Sequence, residues 1–240
     1  MTDARPSGNG GTLYLVATPI GNLEDITHRA LRTLREVNLV AAEDTRHTRR
    51  LLEHFGIDAE LVSLHDHNER ARVPGLLARL GAGESVAIVT DAGSPGIADP
   101  GYPVVRAVVE QGFRVESVPG ASSVIAALQV SGLPTDSFTF VGFLPPKPGA
   151  RKNLLTELSE RRETIIAFES PHRIERCLND LEEVWQDRPI ALLRELTKMH
   201  EQVLRGSARE VRAGLRADQK RGEMVLVLGG MTRRMRAAER

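Results

Sequence analysis

The chain has 240 residues, 41% of them apolar, enough for one large or two ordinary domains whose cores need neither disulfide nor metal. Lysine plus arginine balances aspartate plus glutamate at 32 each, which argues against a protein that holds nucleic acid by bulk charge. A single cysteine, Cys177, excludes an internal disulfide framework and suits a reducing cytosol, and no apolar run reaches the ~18 residues of a membrane span.

In chain order, residues 1–11 lack the apolar stretch of a signal peptide and read as a disordered lead. Leu13 to Thr18 is a run of strand formers closed by Pro19 and Gly21. Ile26, Ala30, Leu31, Leu34 and Val37 share one helix face. Leu39 to Ala42 is a second strand, ending at Glu43 and Asp44. Thr45 to Phe55 is a helix stopped by Gly56, and Leu61 to Leu64 a third strand. A helix over Pro74 to Leu80 leads to strand Val86 to Thr90, helix Tyr102 to Gln111 and strand Phe113 to Val118. Strands alternating with helices predict a parallel sheet with right-handed crossovers over 12–121.

A seam follows near Pro119 to Ser123, where Ser122 and Ser123 precede the small-residue run Ala126 to Leu128. Over 122–230 the predicted elements are strand Phe138 to Phe143, helix Ala150 to Arg161, strand Thr164 to Phe168 and helix His172 to Trp185. Strands Ile190 to Leu196 and Glu201 to Leu204 lie close enough to pair as a hairpin. Helix Ser207 to Arg216 and strand Glu223 to Leu228 complete a mixed sheet. Residues 231–240 read as a basic, solvated tail.

Common chemistries find no support. The turn after the first strand, Thr18-Pro-Ile-Gly-Asn22, is neither a G-x-G-x-x-G nor a Walker A run. His65 and His67 flank Asp66 without a further ligand set, so no metal is expected. Cys177 falls mid-helix, as a structural thiol would. What remains is a row of polar or flexible strand ends: 18–22, Glu43-Asp44, His65-Asp66, 91–101 and 119–123. In a parallel sheet these emerge along one edge, where open α/β sheets hold ligands. Glycine and proline dominate there, which suits a ligand held by main-chain groups.

The runs LYLVATPIGNLED (13–25), AAEDTR (41–46), TDAGSPGIADPG (90–101), VPGASS (118–123) and FESPHR (168–173) resemble the tetrapyrrole-methylase superfamily. They are most similar to its branch that methylates the ribose 2′-hydroxyl of a cytidine in small-subunit (16S) ribosomal RNA. The resemblance spans about residues 12 to 230. It implies two α/β domains of the tetrapyrrole methylase type, S-adenosylmethionine in a cleft between them, and a cytoplasmic homodimer with no membrane association. It places Pro19, Ile20, Gly21, Asp91, Gly93, Ser94, Gly96, Ile97, Ser122 and Ser123 on the cofactor, with Phe168, Leu196 and Met224 as an apolar seat for adenine. Those last three are equally readable as sheet core.

For a ribose acceptor a general base is needed. Glu43 and Asp44 are the candidates, ahead of Asp91 and His65, though both could simply pair with Arg46 and Arg49. Arg46, Arg49, Arg50, Arg151 and Lys152 are the expected phosphate contacts. Single-stranded RNA is usually read by aromatic stacking, and aromatics are only 4% of this chain, so much specificity would rest on particle shape. Two alternatives stand beside this reading: a tetrapyrrole-type small-molecule methyltransferase, and a non-catalytic RNA- or nucleotide-binding module.

Overall fold

The computed structural model describes residues 10–216 and 221–231. Most of the expected lead (1–9) and tail (232–240) therefore lies outside the described residues. Two compact units divide the chain, Met1–Ser122 and Ser123–Arg240.

Unit 1 runs β1 (Thr12–Val16), α1 (His28–Glu36), β2 (Leu39–Ala42), α2 (Thr45–His54), β3 (Leu61–Ser63), α3 (Glu69–Gly81), β4 (Val86–Val89), α4 (Tyr102–Glu110) and β5 (Arg114–Val118). Its strands pair in parallel in the order β3-β2-β4-β1-β5. β2 and β4 are buried at every residue, as strands covered on both faces must be. Side chains alternate between two cores. Val16, Val40, Ala42, Ala87 and Val89 pack with Ala30 and Leu34 of α1 and Leu52 of α2. Leu13, Leu39, Ala41, Val86 and Ile88 pack with Leu76 and Leu80 of α3 and Val104 and Val108 of α4. Each fully buried Val, Leu or Ile contributes ~1.5–3 kcal/mol. The chain leaving β1 passes beyond β4 to reach β2, and the chain leaving β4 passes beyond β1 to reach β5. The two connections depart in opposite directions, which opens a crevice at the carboxyl ends of these strands.

One helix differs from expectation. α3 starts at Glu69, five residues before Pro74, and carries that proline inside it. Asn68 stands at its N-cap position without a side-chain capping bond; its side chain braces the preceding turn, Oδ1 accepting the His65 amide at 2.9 Å and Nδ2 donating to the Ser63 carbonyl at 3.3 Å. Residues 69–72 are good helix formers, so the single backbone bond that Pro74 forfeits is tolerated.

Unit 2 runs α5 (Ser123–Ser131), β6 (Phe138–Phe143), α6 (Pro148–Ser159), β7 (Thr164–Glu169), α7 (Ile174–Trp185), β8 (Ile190–Arg194), β9 (Gln202–Gly206), α8 (Ala208–Gly214) and β10 (Met224–Leu228). Its sheet is mixed, as expected, in the order β6-β7-β10-β8-β9. Only β6 and β7 pair in parallel, and β8 and β9 form the expected hairpin. Central β10 is buried throughout. Trp185 anchors the core, its Nε1 donating to the Gly229 carbonyl at 2.9 Å. Gly230 must be glycine, because a Cβ there would lie 2.1 Å from the Arg162 carbonyl oxygen.

Candidate active site

The crevice of unit 1 is built from the turns that follow β1, β2 and β4. Thr18, just past β1, exchanges backbone bonds with Gly93 in the loop after β4, Thr18 N to Gly93 O at 2.9 Å and the reverse at 3.1 Å. Its hydroxyl donates to the Thr90 carbonyl at 3.0 Å, with the residue 2% exposed. The two turns are thus stitched into one surface. Gly93 holds φ +84°, a region that L side chains rarely occupy, and faces the buried Ile20. Pro19 is buried with Ile20, while Gly21 is exposed.

The loop 91–101 is a bare arch. Gly96 and Gly101 also have positive φ, and Ala98 joins them at +63°. Gly96 N donates to the Pro100 carbonyl at 3.1 Å, and Gly101 N donates to Glu69 Oε2 at 3.0 Å. Ser94 is half-buried, Gly96 and Ile97 are exposed, and Ser122 is half-buried at the end of the unit.

Glu43 and Asp44 end β2 beside the first residues of this arch. Glu43 Oε2 accepts the Asp91 amide at 3.2 Å, and Asp91 Oδ1 accepts the Asp44 amide at 3.1 Å. The carboxylates of Glu43 and Asp91 therefore cross-brace the two strand ends, while that of Asp44 does different work. Asp44 caps α2, accepting the Arg46 amide at 2.8 Å. The Arg46 guanidinium forks onto it, Nε to Oδ1 at 3.2 Å and Nη2 to Oδ2 at 2.8 Å. That pairing holds Asp44 well below the usual carboxylate range, which makes it a poor proton acceptor. Burial pushes Glu43 the other way, aided by the neighbouring charges of Asp91, Asp66 and Asp44 and opposed by the Asp91 amide. Of the two candidate bases, Glu43 has the chemistry.

Arg46, Arg49 and Arg50 are exposed on α2, whose buried face is Thr48, Leu51 and Leu52. They form a basic face rising from the crevice edge. His65 and His67 stack edge-on at 6.0 Å. Among the described residues, no group of three or more His, Cys, Asp or Glu side chains is placed to hold a metal ion.

In unit 2 the structure corrects one expectation. Arg151 is 1% exposed, and its guanidinium binds Asp180 of α7 at 2.6 and 2.7 Å, so it cannot meet a phosphate. It sits on the inner stripe of α6 with Leu155 and Leu158. That spacing of four and three residues is legible in the sequence and signals a core position. Lys152 remains partly exposed but is engaged by Glu183 at 2.6 Å. Ser123 opens α5, and Phe168 is half-buried. Leu196 and Met224 are buried, Met224 within the main core cluster. Sequence reasoning missed the Thr18 clamp and the Glu69 brace. The only hints were a threonine before a proline and an acid in a helix first turn.

Residues 12–212 match the model of the family described as Tetrapyrrole (Corrin/Porphyrin) Methylases. The chain belongs to the tetrapyrrole methylase family. One family relative, Ribosomal RNA small subunit methyltransferase I of Xylella fastidiosa (strain Temecula1), is 50% identical over 223 residues, covering 92% of this chain and 82% of its own length. The protein of the same name from Escherichia coli O157:H7 is 48% identical over 223 residues, covering 92% and 78%. Among solved structures, uroporphyrin-III-C-methyltransferase from Thermus thermophilus aligns with TM-score 0.64 at 24% identity, over 91% of this chain and 94% of that one. A diphthine synthase aligns with TM-score 0.68 at 17% identity, over 95% and 94%. At those identities the structural likeness establishes the fold. This tetrapyrrole methylase family member is a methyltransferase.

Proposed function

We propose that the chain transfers a methyl group from S-adenosylmethionine to the ribose 2′-hydroxyl of a cytidine in 16S ribosomal RNA. The observation that carries this reading is Glu43, a half-buried carboxylate with a raised pKa, set between a bare glycine arch and an exposed arginine face. The relatives named as small-subunit ribosomal RNA methyltransferases support the acceptor. The structural neighbour complexed with S-adenyl homocysteine supports the donor.

The residues fit such a donor. Its sulfonium and ammonium are cations and would meet Asp91. Its folded body needs close backbone, which Pro19, Ile20, Gly21, Gly93, Ser94, Gly96 and Ile97 offer with little side chain in the way. Ser122 and Ser123 are the candidate hydroxyl contacts, and half-buried Phe168 the candidate apolar contact for adenine, Leu196 and Met224 being buried in unit 2. When bound, S-adenosylmethionine supplies an electrophilic methyl whose bond to sulfur breaks as the ribose oxygen attacks, the electron pair leaving with sulfur. Glu43 takes the 2′-hydroxyl proton, a contribution of about 10²–10⁴ in rate. Asp91, its backbone tied to Glu43, fixes that carboxylate relative to the arch. Alignment of the attacking oxygen can supply a further ~7–11 kcal/mol. Arg46, Arg49 and Arg50 hold phosphates on the acceptor side. The enzyme acts as a homodimer in the cytoplasm, where ribosomal particles assemble.

Incubation with methyl-labelled S-adenosylmethionine and small ribosomal particles lacking the modification tests this. Label in a ribose of cytidine supports it. Label on a base, label only on a tetrapyrrole acceptor, or no label contradicts it.

A further inference from the structure

Four of the six phenylalanines of this aromatic-poor chain lie on two adjacent strands: Phe138, Phe140 and Phe143 on β6 and Phe168 on β7. Phe168 meets Phe140 edge-on at 4.9 Å and Phe143 edge-on at 5.3 Å. Strict alternation along β6 would put Phe140 and Phe143 on opposite faces. The β6–β7 register instead slips between them, around Gly142 at φ +69°, and both rings reach Phe168. Phe143 is nevertheless 59% exposed, so folding alone leaves most of its ring face in water. β6 and β7 are parallel, so the segments after them, 144–149 and 170–173, leave the same end of the sheet. Those segments carry Lys147, His172 and Arg173 and no carboxylate. Of the flanking carboxylates, Glu169 is buried and paired with Arg173 at 2.7 Å, and Glu175 lies in the first turn of α7.

An exposed aromatic face held edge-on by Phe168, with exposed Lys147 and His172 in the adjoining segments, matches an unpaired base on a phosphate backbone. We infer that Phe143, on the sheet of unit 2, is a stacking platform for an unpaired base of the RNA acceptor. This rests on the proposed RNA substrate.

The test compares wild type with Phe143→Leu, which stays apolar but loses the π face, and Phe143→Trp, which restores it. Steady-state methylation of small ribosomal particles gives KM and kcat, and calorimetry gives the S-adenosylmethionine Kd. The expected result is a KM for particles raised roughly five- to 150-fold in the Leu variant, with kcat and the S-adenosylmethionine Kd retained and KM recovered in the Trp variant. An unchanged KM in the Leu variant overturns the inference. A parallel loss of S-adenosylmethionine affinity assigns the ring to the donor and overturns it. A changed sedimentation mass assigns it to a contact between copies and does the same. A wild type that fails to methylate particles removes the proposed function and this inference together. An active wild type with an indifferent Leu variant removes this inference alone.

Discussion

Arg151→Met removes a buried guanidinium while keeping most of the volume of its stem. Among the described residues its partner Asp180, with 9% of its side chain exposed, then keeps Lys152 at 3.6 Å as its one ion-pair partner, and that ammonium is already shared with Glu183 at 2.6 Å. Removing one partner of a buried pair costs about 3–5 kcal/mol. The remaining lysine puts the loss near ~3 kcal/mol, about a hundredfold in the unfolding equilibrium. Asp180→Leu is worse, ~5 kcal/mol, because it strands Arg151, which among the described residues has no other ion-pair partner. The double variant Arg151→Met/Asp180→Leu removes both charges and regains wild-type stability or exceeds it by up to ~4 kcal/mol. Urea titration followed by the fluorescence of Trp185, the only tryptophan and a member of the same core, reads these differences. An Arg151→Met midpoint equal to wild type, with RNA affinity lost, would refute the buried-pair account and return Arg151 to the RNA surface.

Glu43→Gln lowers kcat by about 10²–10⁴. Burial, helped by the Asp91, Asp66 and Asp44 charges, raises the Glu43 pKa, so the wild-type rate falls with acid at a pH above the ordinary glutamate value of ~4.3. A pH–rate profile loses that limb in the Gln variant. By linkage, the stability contribution of protonated Glu43 is complete below ~4.3 and lost as pH rises through its raised folded value, so the Gln variant melts no lower than wild type at pH 7. Gly93→Ala forces a side chain onto φ +84° at a cost of ~1–2 kcal/mol and weakens S-adenosylmethionine about tenfold by calorimetry; an unchanged Kd would deny that the backbone grips the donor. Neutralising Arg46, Arg49 and Arg50 together weakens particle binding and flattens its log–log salt dependence by ~0.7 per lost phosphate contact, and an unaltered slope in filter binding places the RNA elsewhere.

The parallel sheet of unit 1 was readable because its strands are short apolar runs separated by periodic helices, and its cores follow that periodicity residue by residue. The crevice was readable as well, since parallel strands send 18–22, 43–44 and 91–101 to one edge whatever their detailed geometry. What the sequence hid is pairwise. Glu43 and Asp44 are adjacent and alike in type. Only the fork of Arg46 on one and the burial of the other separate a capping acid from a base. Arg151 looked like a surface cation at the start of a basic helix. α6 starts two residues earlier, at Pro148, Arg151 lies on its buried stripe with Leu155 and Leu158, and its carboxylate partner lies 29 residues away. Pro74 misled in the same manner, because a proline that can open a helix can also be carried within one when the helix starts earlier, here after a turn that Asn68 braces.

The most direct measurement digests 16S ribosomal RNA to nucleosides after reaction with methyl-labelled S-adenosylmethionine, using wild type and Glu43→Gln side by side. The account predicts label in 2′-O-methylcytidine from the wild type and at least a hundredfold less in the same interval from the variant. Equal label from both, or label in a base-methylated nucleoside, would contradict it.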